Sequence, residues 1–366
     1  MKDTMGIILT KEPDAGLKEL TQFRTVSALP IGGRYRLIDF VLSDFVNSGI
    51  VNVGITADSS CLSLTEHLGS GEPWNLRRNR YGLKILAGTD KAGCNTVEIL
   101  MGIMPFLRQS KQKYVILTNG NTIFNMTFYD ALKYHKEMRS DLTVIYRKSA
   151  DKAVLSSSEV LEIDENGRLY GFEKNPRDAL TQNLSMNIYI MERQYLMKMT
   201  EGAAARGEKD IMFECLARES GNMRIFCYRH EGYAGRIDSV LSYYTYNMDM
   251  LRGDVRRELF GGENKIYTRS QNRMPAVYGK NAYASDCLVS DGCNIYGNIE
   301  NCVVSRGVRI SEGVELKNSV VMEKTYIGRG SELSCVVLDK ECIIREDVRL
   351  FGQKSYPILI GKGAVI

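Results

Sequence analysis

The sequence predicts an α/β domain with a mostly parallel sheet, followed by a parallel β-helix. Three observations carry this. Met5–Thr10 (MGIILT), Val51–Thr56 (VNVGIT) and Tyr114–Thr118 (YVILT) are short strand-like runs, two of them continuously apolar, as in strands buried on both faces. Between the first two, Leu37, Val41, Phe45 and Ser48 recur at spacings of four, four and three, the mark of a helix with one broad buried side. Beyond residue 280 the period becomes six: Cys302, Val308, Val314, Val320 and Tyr326, in parallel Val304, Ile310, Leu316 and Met322, and after a phase shift Val336, Cys342, Val348 and Leu338, Ile344, Leu350. Glycines precede apolar positions (Gly307, Gly313), and no amphipathic helix produces that repeat.

Composition bounds the rest. A chain of 366 residues, 44% hydrophobic, can bury two cores. Its net charge of +4 arises from 48 basic and 44 acidic residues without a basic block, which argues against a nucleic-acid partner and suits small anions. Nine cysteines are scattered without CxxC spacing; Cys287, Cys293, Cys302, Cys335 and Cys342 read as small core residues of a reduced, cytoplasmic protein. Three histidines without clustering make a structural zinc site unexpected. No run is long enough to span a bilayer, so no membrane association is expected.

In chain order, Met5–Thr10 is the first buried strand, and the loop after it faces ligand phosphates in nucleotide-binding α/β folds. Pro30-Ile31-Gly32-Gly33 is a turn, and Gly49 sits where a left-handed cap ends the helix from Leu37. Val97–Leu107 reads as a helix with Val97, Leu100, Met101 and Met104 on one face. Tyr114–Thr118 leads to Asn119-Gly120-Asn121-Thr122, at the strand end where open sheets place catalytic groups, although the two asparagines also read as plain turn residues. Asp141–Lys148 is a strand. Leu161–Tyr170 is a hairpin, with Asn166-Gly167 suited to a type I′ turn. Asp238–Leu251 is a helix leading out of the domain. The expected division is residues 1–252, a joining segment 253–280, and a β-helix over 281–366.

Several stretches together resemble the bacterial and plant ADP-glucose pyrophosphorylases (glucose-1-phosphate adenylyltransferases). They are Leu17-Lys18-Glu19-Leu20-Thr21, Gly32 to Phe40 (GGRYRLIDF), Asn47-Ser48-Gly49-Ile50, His67 to Trp74 (HLGSGEPW), Phe172-Glu173-Lys174, Leu184-Ser185-Met186 and Asn247-Met248-Asp249. The resemblance covers nearly the whole chain. It implies a Rossmann-like nucleotidyltransferase domain followed by a left-handed parallel β-helix of hexapeptide repeats.

What it implies about the site is a set of departures. The phosphate loop falls on Lys11 to Gly16, with a proline, two carboxylates, and Gly16 where an arginine contacts the triphosphate. Val26 stands at a phosphate-facing lysine position, a loss of roughly 1.5–3 kcal/mol for one charge-assisted hydrogen bond. Gly93 opens a partly matching segment near the adenine. Asn121 and Arg236 occupy the positions of two aspartates that hold Mg²⁺, which makes the site more positive by about three charges, and like charges repel a metal ion by several kcal/mol at close range. Glu173, Lys174 and Ser185 match the sugar side, where Asn187 replaces a glycine; without the resemblance, Glu173-Lys174 reads as a surface ion pair.

Three functions follow as alternatives. The first is a regulatory, catalytically degenerate subunit of the D type, without its own Mg²⁺, partnering a catalytic subunit in a homo- or hetero-tetramer. Arg34, Arg36 and Lys174 would contact anionic sugar-phosphate or nucleotide effectors, although such charges beside a glycine turn are often merely solvated. The second is an active adenylyltransferase in which Asp238, Asp39 or Asp44 serves Mg²⁺. The third is a scaffold with no small-molecule site. Acyl transfer by the β-helix is not expected, because His67, His135 and His230 all precede it.

Overall fold

The computed structural model describes residues 1–10, 16–57, 61–78, 81–87, 94–156, 158–219 and 222–366. The chain forms two compact units, Met1–Glu12 with Val41–Ala234, and Pro13–Phe40 with Gly235–Ile366.

The first unit is built on a nine-stranded sheet. Its strands are β1 (Thr4–Leu9), β2 (Asn52–Ala57), β3 (Gly82–Ala87), β4 (Tyr114–Asn119), β5 (Leu142–Lys148), β6 (Glu159–Ile163), β7 (Leu169–Lys174), β8 (Asn183–Glu192) and β9 (Ile225–Arg229). The order runs β7-β6-β8-β4-β1-β2-β3, and β5 pairs with both β8 and β9. β1 lies parallel between β4 and β2, whereas β8 is antiparallel to β4 and β5. The apolar runs in β1 and β4 are buried on both faces, with Ile7, Leu9, Val115 and Leu117 in one core.

Two local expectations need correction. The single helix expected over 97–107 is two, Thr96–Gly102 and Met104–Gln109. Pro105 lacks the N–H that would continue the first, and Asn95 with Glu98 forms a capping box at its start. Met101 is 39% exposed rather than on the buried face. The hairpin between β6 and β7 exists, but not with a type I′ turn. Only Gly167 has positive φ, 81°, and the Asp164 carboxylate accepts the N–H groups of Asn166 (2.9 Å) and Arg168 (2.8 Å). That side chain stabilises a longer loop with glycine in its left-handed position.

The second unit contains the β-helix: three five-stranded parallel sheets, each adding one strand per coil. With its hexapeptide repeats this is the left-handed β-helix architecture. The repeat is not uniformly six. Ile310 pairs with Ile327 and Ile327 with Ile344, seventeen positions per coil, and the inward side chains run Ile310, Leu316, Val321, Ile327. One side of each of these coils is therefore a five-residue step. In consequence Val321 and Ile327 enter the core, while Tyr326, expected inside, is 39% exposed. Met322 is buried instead against Arg24, whose Nη1 lies 3.7 Å from its sulfur.

The expected boundary at 252 is not where the contacts divide. Residues 13–40 and 235–252 belong with the β-helix. Tyr243 donates to the Pro30 carbonyl (2.6 Å), Tyr244 to that of Asn318 (2.8 Å), and the Gly32 N–H donates to Asn247 Oδ1 (3.1 Å). Arg24 and Asp339 form a buried ion pair in which Arg24 Nη2 donates to both carboxylate oxygens, at 2.8 and 2.9 Å. The segment expected as a linker opens with the helix Gly253–Phe260. As anticipated, Gly32 and Gly33 take φ of 57° and 79°, and Gly49, at 71°, ends the helix Leu37–Asn47. No helix among the described residues is long and apolar enough to cross a membrane.

Candidate functional site

In the first unit, the loop after β4 begins against β1: the Gly120 N–H donates to the Leu9 carbonyl (3.1 Å). Asn121 follows, buried, its Oδ1 accepting from the Thr122 hydroxyl (3.2 Å). It lies at the strand end expected for a catalytic group, but it brings an amide where Mg²⁺ wants a carboxylate. Gly93 lies outside the described residues, as does the loop preceding Gly16.

Lys174 ends β7 and is partly exposed. Its ammonium pairs with Asp210 (2.8 Å), approaches Glu159 (3.9 Å) and sits 5.5 Å above the ring of Phe213. Pairs this exposed contribute at most about 1 kcal/mol, so the lysine can exchange a carboxylate for a ligand phosphate. Glu173 is exposed and, as its neighbour on a strand, faces the opposite side of the sheet. The two therefore do not pair with each other.

Ser185, Met186 and Asn187 occupy a bulge of β8. Asn187 has φ of 55°, the left-handed region that glycine adopts freely and asparagine tolerates. The replacement thus keeps the backbone turn. Its carboxamide oxygen accepts from the Ser185 (3.2 Å) and Tyr189 (3.3 Å) hydroxyls, and Tyr189 also reaches Glu159 Oε2 (3.4 Å). Burial, and next the Glu159 charge, push the Tyr189 hydroxyl well above its ordinary value, so it stays neutral. Glu159, Tyr189, Asp210 and Phe213 were missed in the sequence. They come from separate elements, and no spacing links them.

In the second unit, Gly16 is closed off by residues 238–240. The Val240 N–H donates to its carbonyl (3.0 Å), and a Cβ at Gly16 would overlap the Asp238 carbonyl oxygen. No side chain fits there. Val26 is buried within the short turn Val26–Ala28. Arg236 donates to Asp238 Oδ2 through Nε (3.2 Å) and Nη2 (3.0 Å), while Ser242 donates to Oδ1 (3.2 Å). Asp238 is thus already engaged at both oxygens. Asp39 accepts the Arg36 N–H (2.9 Å). Asp44, in the first unit, is fully buried with one oxygen unpartnered, and burial raises its carboxyl well above the ordinary 3.8. That environment opposes the negative charge a cation ligand needs. Position by position, an amide at 121 and a guanidinium-bound carboxylate beside 236 do not fit Mg²⁺. No group of three or more metal-binding side chains occurs among the described residues.

Arg34 and Arg36 belong to a basic cluster on the β-helix side. Arg34 is exposed beside the Tyr35 ring, and Lys340 pairs with Glu323 at 3.0 Å. Arg306 is buried with its Nε unpartnered, and burial lowers its guanidinium despite the opposing pull of Glu323. Burial would raise the Glu323 carboxyl, but Lys340, Arg36 and Arg306 outweigh it and hold it below its usual value. Lys340, Arg36 and Arg306 act on the one Glu323 carboxylate, and Asp291 is the other carboxylate that acts on Arg306, so positive charge predominates locally, which favours an anion.

A mixed, mostly parallel sheet together with a hexapeptide β-helix on one chain is the architecture of a nucleotidyltransferase with a C-terminal hexapeptide domain. Residues 15–230 match the sequence model of the nucleotidyl transferase family, and residues 274–354 match that of the GlmU-like C-terminal hexapeptide. The chain is 31% identical to the glycogen biosynthesis protein GlgD of Bacillus subtilis, over 99% of this chain and 96% of that one. It is 29% identical to a glucose-1-phosphate adenylyltransferase of Acetivibrio thermocellus (97% and 85% covered) and 28% to one of Clostridium perfringens (100% and 96%). The chain belongs to the nucleotidyl transferase family, in the group of GlgD and the glucose-1-phosphate adenylyltransferases.

Proposed function

We propose that this chain is a regulatory, catalytically degenerate subunit of glucose-1-phosphate adenylyltransferase. It acts in the cytoplasm within a hetero-oligomer, a tetramer by preference, in which a catalytic sibling makes ADP-glucose from ATP and glucose 1-phosphate. The observation that carries the reading is the Arg236–Asp238 pair: a fixed cation stands at a metal-ligand position and uses the nearest carboxylate. Gly16, Val26 and Asn121 support it, because each lacks the charge that a magnesium-bound triphosphate requires. On this reading the chain holds no catalytic Mg²⁺. Losing one transition-state donor costs about 10²–10³ in rate, and losing several leaves little chemistry.

The regulatory half rests on the basic cluster of Arg34, Arg36, Arg306 and Lys340, which suits an anionic sugar phosphate or nucleotide as effector. Lys174 and Ser185 keep a second place for a sugar phosphate. Co-expression with a catalytic adenylyltransferase tests the proposal. The expected result is a mixed oligomer by native mass, with effector dependence that Arg34→Gln with Arg36→Gln weakens. Separate homo-oligomers, or a mixed one whose effector response ignores those changes, would refute it.

A further inference from the structure

A cavity of about 540 Å³ opens in the first unit where β4, β5 and β9 begin, at the opposite end of the sheet from Asn121. Its size is that of a small-molecule site. Lys113, Lys136, Arg139 and Arg224 line it against two carboxylates, Asp141 and Glu192. Burial pushes the lining His135 down to about 4, so it adds no charge. The ammoniums of Lys113 and Lys136 lie 5.1 and 4.7 Å from the centre of the same ring, Tyr114. Each has only an exposed partner, Glu192 (3.0 Å) and Asp3 (2.9 Å), and such pairs exchange readily.

Two further features point to a ligand. Arg139 follows a helix end with φ of 50° and has no ion-pair partner among the described residues. Ser140 lines the same cavity, and its hydroxyl is buried without any hydrogen-bond partner, an arrangement that is unfavourable unless something supplies one. The remaining wall is less polar: the Tyr195 hydroxyl donates to the Met223 sulfur (3.0 Å), turning both side chains into one surface.

We propose that this cavity binds a small organic anion, its phosphate or carboxylate group held by Lys113, Lys136 and Arg139 within reach of Ser140, and its uncharged body against Tyr195 and Met223. The site uses no residue of the sugar side or of the basic cluster, so it stands independently of the function proposed above.

Calorimetric titration of the full chain with phenyl phosphate and with inorganic phosphate tests this. Saturable binding of phenyl phosphate is expected, tighter than that of inorganic phosphate. Lys136→Gln with Arg139→Gln should weaken it by about tenfold or more, and Ser140→Ala alone by about threefold. Lys174→Ala and Arg34→Gln should leave it unchanged. No saturation with either probe, a double variant that binds like the parent while folding normally, or a loss of binding in Lys174→Ala or Arg34→Gln would overturn the proposal.

Discussion

Side chains at four positions separate what this chain retains from what it lacks. Arg236 reads from the sequence as a charge reversal, and its geometry adds that Asp238 is consumed by the pair rather than left for a metal. Asn187 shows the reverse: it replaces a glycine, yet its positive φ preserves the bulge that the glycine would make. Lys174 was legible only through its motif, because Asp210, Glu159 and Phe213 approach it from distant parts of the chain. Asp44 was one of three candidate Mg²⁺ ligands in the alternative reading, and burial pushes its carboxyl well above the ordinary value. In the unfolded chain it ionises near 3.8 while the folded protein keeps the proton, so stability declines as pH rises above 3.8. Asp44→Asn keeps an acceptor for the Met126 N–H (3.2 Å) and removes that ionisation. It should stabilise the protein at pH 7 by on the order of 1 kcal/mol, with a smaller gain at pH 4, by urea unfolding. A loss of stability at pH 7 would show that the carboxylate form is wanted.

Elements were legible wherever one interaction dominates. β1 and β4 follow from unbroken apolar runs, and the helix Leu37–Asn47 from its period and its glycine cap. The β-helix was legible as a repeat with a phase shift, but the place of its five-residue step was not, since Val320 and Val321, or Tyr326 and Ile327, offer two apolar choices and only closure of a coil selects one. Asp164 settled the hairpin turn by a side-chain bond that no dipeptide preference encodes. The Arg24–Asp339 pair ties the turn-rich segment before Leu37 to a β-helix coil, across a sequence separation that hides it from local patterns. Removing one partner of such a buried pair strands the other: Arg24→Ala should cost about 3–5 kcal/mol, and Arg24→Met with Asp339→Leu should recover most of it. Equal losses in the single and double variants, by urea unfolding, would mean the pair contributes little beyond packing.

For the whole molecule, the two-part architecture was visible in the change of period, but the assignment of residues 13–40 and 235–252 was not. They read as parts of the α/β domain, yet their polar contacts, through Tyr243, Tyr244 and Asn247, run to one another and to a β-helix coil. Gly16, Val26 and Arg236 thus lie in the unit that carries the basic cluster, while Asn121, Lys174 and Ser185 lie in the other. Family membership follows from the matching segments, whereas the proposed loss of catalysis rests on the charges at positions 16, 26, 121 and 236. Its most direct test is the rate of ADP-glucose formation by the purified chain alone, with ATP, glucose 1-phosphate and saturating Mg²⁺. The account predicts no turnover above background, and turnover comparable to a dedicated adenylyltransferase would contradict it.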